Sequence, residues 1–256
     1  MSLLKLRELK VEGFMEQANS ELFVKYINNT NGKNVLCNYL KNELPKYNYT
    51  SLLDVGAGQG EFAIGLTSIL KSVIAVEPNH SFAQNLRDKN IKNLTVIEDT
   101  IQNYRTDESY DIILLSYFLD LFKDFDIEII MNKIMKLKSA NGIILGISYL
   151  PHCDWDNYAH IIINDLKIER KGGIDRVFTK LEKFNYYCSI MNIIDTEIQG
   201  KTLEDLYYNL SFFFKKNLKG YYSNIDRYIK VLQKYSRIKD NRYSINVKEV
   251  IYEIRL

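Results

Sequence analysis

"LLDVGAGQGEF", residues 52–62, is the stretch that decides the fold. An apolar run carries Asp54 near its end, and three glycines then stand at alternate positions, Gly56, Gly58 and Gly60, before a helix-like segment. Glycine permits a left-handed backbone and lets a ligand approach the main chain closely. The pattern therefore predicts a strand, a glycine-rich turn and a helix, with a ligand bound at the turn.

Three kinds of ligand loop compete for this pattern. A mononucleotide P-loop requires G-x-x-x-x-G-K-[ST], but no lysine follows Gly60. A dinucleotide loop requires G-x-G-x-x-G, whereas the glycines here read G-x-G-x-G. Asp54 would also repel a pyrophosphate, because a carboxylate at the end of a buried strand needs a compensating group. The spacing and Asp54 therefore disfavour a phosphate cradle and a nicotinamide-dependent dehydrogenase.

The end of the next apolar run carries a second indication. Glu77, in "VIAVEPN", follows the loop by about 20 residues, where an acidic side chain can accept hydrogen bonds from the ribose hydroxyls of a bound nucleotide. The ligand should thus combine a ribose, a compact linkage along the glycines and a positive group near Asp54. S-adenosylmethionine (SAM) has all three: a ribose, a compact linkage, and positive groups in its α-ammonium and its sulfonium.

Apolar runs alternate with helix-like segments from about residue 51 to residue 171. Runs without strict alternation are typical of parallel strands that are buried on both faces. The alternation predicts an α/β fold with a doubly wound, seven-stranded, mostly parallel sheet. After residue 171 the rhythm changes, and two helix-like segments stand before a final strand, "INVKEVIYEIRL".

Four segments in order, "LLDVGAGQGEF", "VIAVEPN", "VIEDT" and "YDIILLSYFLDLF", resemble the ordered motifs of class I SAM-dependent methyltransferases. They cover roughly residues 50–150. The resemblance implies that SAM is the cofactor and that the motifs line its binding site. The implied cofactor contacts are Asp54, Gly56, Ala57, Gly58, Gly60, Glu77, Pro78, Asn79, Asp99, Thr100 and Ser116.

The resemblance assigns a part of SAM to each group of residues. Asp54 and the glycines would line the methionine part, and Glu77 would hold the ribose, with Pro78 and Asn79 beside the adenosine. Asp99 and Thr100 occupy the position that contacts adenine, although Asp99 could instead be a helix N-cap.

Ser116 and Tyr117, at the end of the fourth strand, occupy the position beside the methyl group. They could equally be simple strand-end residues. Lys33, in the turn before the core, is a further candidate for the SAM carboxylate.

The same resemblance sets the expected domain organisation. Residues 1–46 are predicted to form an N-terminal helical lid segment, and residues 47–256 a Rossmann-like methyltransferase domain. A helical insertion is predicted at about residues 201–238, before the last strand.

The loop after the fifth strand, "SYLPHCDWDNYAH", is predicted to face the substrate, because ligands bind beyond the carboxyl ends of parallel strands. The substrate-binding candidates are Tyr117, Tyr149, Asp154, Trp155 and Asp156. Carboxylates and aromatic faces suit a cationic or amine substrate. The aspartates could instead complement the start of a helix, and the tryptophan could simply pack on the sheet.

The catalytic group stays open at this point. Methyl transfer needs a base only if the nucleophile arrives protonated. Tyr117, Asp154, Asp156 and His152 are candidates for that role, and none of them is singled out.

The predicted partner is a small-molecule or peptide nucleophile, an amine being one option. RNA is the alternative, because residues 211–242 contain nine Lys or Arg with interleaved tyrosines, a composition that also suits a solvated helical face. A non-catalytic subunit that only shares the fold is disfavoured by the intact Asp54, glycines and Glu77.

Composition sets the remaining bounds. The 256 residues are 46% hydrophobic and 26% charged with a net charge of +2, which is ordinary for a globular protein. No apolar run approaches the roughly 20 residues of a membrane span, and the N-terminus lacks a signal-peptide pattern. Three scattered cysteines fit no metal-ligand spacing and are predicted to be reduced thiols. We therefore expect a cytoplasmic enzyme without a metal and without a membrane partner.

Overall fold

The computed structural model describes residues 15–122, 124–169 and 173–256, except for the side chains at 15–20, 124 and 125. Part of the predicted lid, residues 1–14, therefore lies outside the described residues. The contacts divide the chain into two compact units. The sheet unit comprises the described parts of Lys33–Leu150, Lys171–Ile194 and Glu249–Leu256. The second unit comprises the described parts of Met1–Gly32, Pro151–Arg170 and Asp195–Lys248.

Helices and strands alternate through the first two thirds of the chain. The strands are β1 Ser51–Val55, β2 Ser72–Val76, β3 Leu94–Ile97, β4 Tyr110–Ser116, β5 Lys138–Tyr149, β6 Tyr187–Gly200, β7 Ser236–Lys239 and β8 Arg242–Arg255. The α-helices are α1 Met15–Asn28, α2 Gly32–Glu43, α3 Glu61–Leu66, α4 His80–Arg87, α5 Asp124–Leu137, α6 Asp154–Leu166, α7 Ile174–Glu182, α8 Leu203–Leu210, α9 Leu218–Ser223 and α10 Ile225–Tyr235. Helices α8 to α10 lie in the sequence between β6 and β7, where the insertion is predicted.

The strand order is β3-β2-β1-β4-β5-β8-β6, with β7 paired to β8. The pairs from β3 to β5 are parallel, whereas β8 runs antiparallel to β5 and to β7. The predicted doubly wound, mostly parallel sheet is confirmed. The described residues hold eight strands instead of seven, because β7 forms a short hairpin with β8. Asp240 and Asn241 both have positive φ, at 50° and 58°, which is the backbone of a tight two-residue hairpin turn.

Both faces of the central strands are buried, which explains their continuous apolar runs. Along β1, Leu53 packs into one hydrophobic cluster and Leu52 into the other. Along β4, Ile113 and Ile112 divide in the same way. Because side chains alternate along a strand, Asp54 belongs to the face of Leu52. The sequence thus places one carboxylate among residues that are otherwise apolar on both sides.

A glycine fixes the register of the last strand against the sheet. Gly146 of β5 lies directly opposite Tyr252 of β8, and a Cβ atom at Gly146 would overlap the Tyr252 ring. Tyr252 is 1% exposed, so the ring fills the space that the glycine leaves. The same register places Glu249 opposite Tyr149 at the carboxyl end of β5.

The second unit has an aromatic core of its own. The Tyr207 and Tyr221 rings stack with centroids 4.4 Å apart, and each hydroxyl donates to the other residue's carbonyl oxygen. The Tyr158 hydroxyl lies 2.9 Å from that of Tyr221. Trp155 packs on Phe213 with centroids 4.3 Å apart. These tyrosines therefore bury their rings and satisfy their hydroxyls inside the unit.

A helix that spans a bilayer needs about 20 predominantly apolar residues. None of the helices in the described part of the chain is both long and apolar enough to cross a membrane.

Candidate active site

The glycine loop connects β1 to α3 with a left-handed backbone. Gly56, Gly58 and Gly60 have φ values of 71°, 59° and 78°, which residues with a Cβ atom rarely adopt. The amide of Gly56 donates to the Val76 carbonyl over 2.8 Å and ties the loop to the end of β2. A Cβ at Gly56 would lie 2.8 Å from the Phe118 ring, whereas a Cβ at Gly58 would meet no heavy atom within 4 Å. Gly58 is thus the point where the backbone is open to a ligand.

Asp54 lies at the base of this loop and is 1% exposed. Among the residues that the structure describes, neither of its carboxylate oxygens has a hydrogen-bond partner. Burial raises the pKa of Asp54 to about 7, and the nearby Glu61 and Glu77 act in the same direction. Lys33 opposes this rise, as does the Ala63 amide, which approaches the carboxylate without forming a well-aligned hydrogen bond. A buried carboxylate with unused acceptor capacity is a site for a cation or a donor.

Lys33, at the start of α2, is already engaged within the sheet unit. Its ammonium donates to Glu61 Oε2 over 2.8 Å, and both side chains are largely shielded from solvent. Lys33 and Glu61 therefore flank Asp54 as an ion pair, and the positive charge of Lys33 favours the ionised form of Asp54.

Glu77 stands at the carboxyl end of β2 and is 6% exposed. Its Oε2 accepts from the Gly58 amide over 2.7 Å, and its Oε1 accepts from the Asn79 amide over 2.8 Å. Each carboxylate oxygen can accept a further hydrogen bond. Glu77 is thus held by the glycine loop on one side and by the turn after β2 on the other.

The residues predicted beside the adenosine lie at the ends of β2 and β3. Asn79 caps α4 by accepting from the Phe82 amide over 3.1 Å, and Pro78 beside it is exposed. Asp99 Oδ1 accepts from the Thr100 amide over 2.7 Å. Asp99 is followed by a turn at residues 101–103 and not by a helix. It therefore does not serve as a helix N-cap, which was the alternative role.

The end of β4 lies beside the glycine loop. Asp54 pairs with Leu114 in the parallel register, so Ser116 reaches the level of Gly56. Phe118 then covers Gly56, since a Cβ atom at Gly56 would overlap the Phe118 ring. Tyr117 has φ of 51°, a left-handed backbone that is strained for a bulky residue. Backbone strain of this kind concentrates at functional sites.

A cluster of three side chains, which we call the acceptor cluster, forms at the carboxyl end of β4 and β5. It consists of Tyr117, Tyr149 and Glu249. The Tyr117 hydroxyl donates to Glu249 Oε1 over 2.6 Å. The Tyr117 and Tyr149 rings lie 4.9 Å apart between centroids, and Glu249 is 1% exposed. All three residues belong to the sheet unit.

Sequence reasoning proposed Tyr117 and Tyr149 but missed Glu249. The hydrogen bond that joins Tyr117 to Glu249 spans 132 residues of sequence, and no local motif links them. The available signal was the strand run "KEVIYEIRL", in which Glu249 directly precedes the apolar residues Val250, Ile251 and Tyr252.

The other predicted substrate residues, Asp154, Trp155 and Asp156, lie in the second unit. Cys153, not Asp154, occupies the N-cap of α6, while both aspartates lie in its first turn and complement the helix dipole. Asp156 Oδ2 accepts from the His152 amide over 2.9 Å. Trp155 is 7% exposed and packs against aromatic rings of its own unit. The predicted substrate residues thus divide between the two units.

The carboxylates and the open backbone of the sheet unit suit the charges and hydroxyl groups of SAM. Asp54 offers a buried, unsatisfied carboxylate for a cation, and Glu77 offers carboxylate oxygens at the end of β2. Gly58 offers open backbone between them. The Gly56, Gly58 and Gly60 amides are already bonded within the protein, so they are not available to bind a phosphate.

Comparison with known proteins also indicates a methyltransferase domain. Residues 52–142 match the family model described as "Methyltransferase domain". The YcgJ protein of Bacillus subtilis is similar in structure, with 16% sequence identity and a TM-score of 0.57, over 84% of this chain and 97% of that one. A proposed methyltransferase of Bacillus halodurans C-125 has 14% identity and a TM-score of 0.56, over the same shares of the two chains, 84% and 97%. No curated protein sequence matches the chain.

The two solved structures show the shared fold, and the family match covers the segment with the glycine loop. The family match identifies this segment as a methyltransferase domain, and SAM is its cofactor.

Proposed function

We propose that this methyltransferase acts on a small-molecule or peptide amine. The observation that carries the proposal is the acceptor cluster, where two tyrosine rings and a buried carboxylate meet beside the glycine loop. Aromatic faces and a carboxylate attract a cationic nitrogen. An amine is a cation before it reacts, so the same groups would select it and hold it at the methyl end of the site.

The proposed cofactor site uses the residues named from the sequence. Asp54 would attract the positive end of the methionine part, and the open backbone at Gly58 would let it approach. Glu77 would accept from the ribose hydroxyls, while Asp99 and Thr100 would lie beside the adenine and Ser116 beside the methyl group. When bound, SAM supplies a methyl group attached to a sulfonium. After methyl transfer the sulfur is left in a neutral thioether. The chain itself has to orient the nucleophile and exclude water.

The RNA alternative has less support from the basic region. A stacking surface for bases needs exposed aromatic rings, but Tyr221 and Tyr228 are at most 1% exposed. Several of the cations are paired, since Arg227 bonds to Asp165 and Arg237 bonds to Glu197. These observations favour a solvated, ion-paired helical face over a surface that follows an RNA backbone.

The test uses SAM labelled with tritium on its methyl group. The purified enzyme is incubated with two fractions of a cell extract, one of small molecules and peptides and one of total RNA. We expect label in the first fraction, on products that retain the label after acid treatment and bind a cation exchanger. Label in RNA, with retention that falls steeply between about 50 and 200 mM salt, would contradict the proposal.

A further inference from the structure

We propose that Tyr117 is the catalytic group that takes the proton of the incoming amine, and that Glu249 receives the proton of Tyr117. The inference rests on the proposed function and adds the path by which the nucleophile loses its proton. It gives a role to Glu249, the residue of the site that lies farthest from the sequence motifs.

The hydrogen bond between the two side chains has the direction that this path needs. The Tyr117 hydroxyl donates to Glu249 Oε1 over 2.6 Å, the short distance that is typical of a charge-assisted bond. A hydroxyl that donates in this way keeps its lone pairs as acceptors. The ammonium of a substrate can therefore donate to the same oxygen whose hydrogen already points at the carboxylate.

The position of Tyr117 and the strain in its backbone also support its assignment as the proton acceptor. Tyr117 follows Ser116, which lies at the level of Gly56, and Phe118 contacts the position of a Gly56 Cβ. The Tyr117 amide donates to the Ile147 carbonyl over 2.8 Å and holds the residue to β5 in its left-handed conformation. A strained backbone that keeps one side chain at the cofactor edge is a feature that packing alone does not require.

The proton balance of the step is simple. The ammonium proton passes to the Tyr117 oxygen as the Tyr117 hydroxyl proton passes to Glu249, which becomes a carboxylic acid while Tyr117 is unchanged. The freed nitrogen lone pair then forms the bond to the methyl carbon, and the electron pair of the broken carbon–sulfur bond stays on sulfur. Glu249 afterwards releases its proton to solvent. No oxidant, metal or further reactant is needed.

The test does not depend on knowing the methyl acceptor. Sinefungin is a SAM analogue in which a carbon bearing a primary amine replaces the methylated sulfonium, so its amine occupies the methyl position. S-adenosylhomocysteine lacks any group there. The ratio of the two dissociation constants, measured by calorimetry, therefore reports what a cationic nitrogen gains at that position. We expect the native protein to bind sinefungin about tenfold more tightly.

Two substitutions at the cluster should abolish this preference without weakening S-adenosylhomocysteine. Tyr117→Phe removes the acceptor oxygen, and Glu249→Gln removes the charge behind it, so the ratio should approach one in both. Glu249→Asp keeps the charge and should retain most of the preference. A preference that persists in both Tyr117→Phe and Glu249→Gln would overturn the assignment. If Glu249→Gln does not fold, Tyr117→Phe decides the question alone.

Two control variants are matched to these changes. Tyr110→Phe removes a hydroxyl that bonds to a carboxylate at the amino end of the same strand, and Glu253→Gln neutralises a glutamate four residues along β8. Neither should alter the ratio. Failure of the native protein to bind S-adenosylhomocysteine at all would contradict the cofactor site, whereas binding without a sinefungin preference would contradict only the proton path.

Discussion

The glycine loop and the acceptor cluster lie at the same edge of the sheet but are built in different ways. The loop is local, because Asp54, its glycines and Glu77 come from two neighbouring strands and are joined by backbone amides. The acceptor cluster joins Tyr117 to Glu249 through side chains over 132 residues. The predicted cofactor contacts therefore lie in short sequence motifs, whereas the proposed acceptor contacts depend on how distant strands pair.

The largest effect should follow from removing the charge at the base of the loop. Asp54→Asn should weaken SAM binding about 100-fold, because the buried carboxylate would lose its attraction for the cation. Asp88→Asn, an exposed change at the end of α4, is the control. Calorimetry measures both. Unchanged affinity in Asp54→Asn would contradict the assignment of Asp54, since the loop would then bind SAM without its carboxylate.

Two glycine substitutions separate packing from backbone strain. A Cβ at Gly60 would overlap the Leu86 side chain, whereas one at Gly58 would meet open space. Gly60→Ala should lower the free energy of unfolding by about 3 kcal/mol and Gly58→Ala by about 1 kcal/mol, because only the first adds overpacking to the left-handed strain. Urea unfolding followed by circular dichroism measures the difference. Equal losses would show that the contact with Leu86 relaxes freely.

The pH dependence of binding should follow the pKa of Asp54. In the ligand-free protein this pKa is about 7, and a bound cation favours the ionised form. SAM affinity should therefore fall roughly 20-fold from about pH 7.5 to pH 5.5, and binding near pH 7 should release about half a proton per molecule. Calorimetry in buffers of different ionisation enthalpy detects that proton. Asp54→Asn should abolish the release, and persistent release would assign it to another group.

The same pKa has a consequence for stability with the opposite sign. The folded value lies above the ordinary value for an unfolded aspartate, so between about pH 4 and pH 7 the folded state holds more protons than the unfolded state. The ligand-free protein should therefore lose stability as the pH rises through this window, and Asp54→Asn should flatten the loss.

The smallest effect concerns Trp155 in the second unit. Trp155→Phe should lower the free energy of unfolding by about 1 kcal/mol, because the indole packs on Phe213 and is 7% exposed. It should leave the affinity for S-adenosylhomocysteine unchanged. Circular dichroism and calorimetry measure the two quantities. Unchanged stability with a more than tenfold loss of methyl transfer would instead support the substrate role predicted from the sequence.

The sequence predicted the parts of the molecule that local chemistry determines. Alternate glycines after Asp54 and the acidic residue at the next strand end indicated the fold and the cofactor, and the fold and cofactor are confirmed. The roles of the individual site residues stay predictions. The short strand β7 was missed because its four residues follow a helix and depend on the turn at Asp240 and Asn241.

Glu249 could not be predicted from spacing, since its position results from strand pairing. A glutamate in an apolar run has no assigned face until the register of that run is known. The basic region of residues 211–242 illustrates the same limit. Tyr221 looked available for stacking, but its burial follows from contacts with α6 and α8 that the sequence does not specify.

The pairing of Gly146 with Tyr252 sets the register of β8 against β5 and therefore the position of Glu249 in the acceptor cluster. A slip of one residue would turn Glu249 to the opposite face of the sheet and leave Tyr117 without its carboxylate. A chain in which β8 has not yet docked could form the glycine loop, because none of the residues in that loop comes from β8. Cofactor binding and the proposed preparation of the nucleophile are thus separable, because only the second depends on the docking of the last strand.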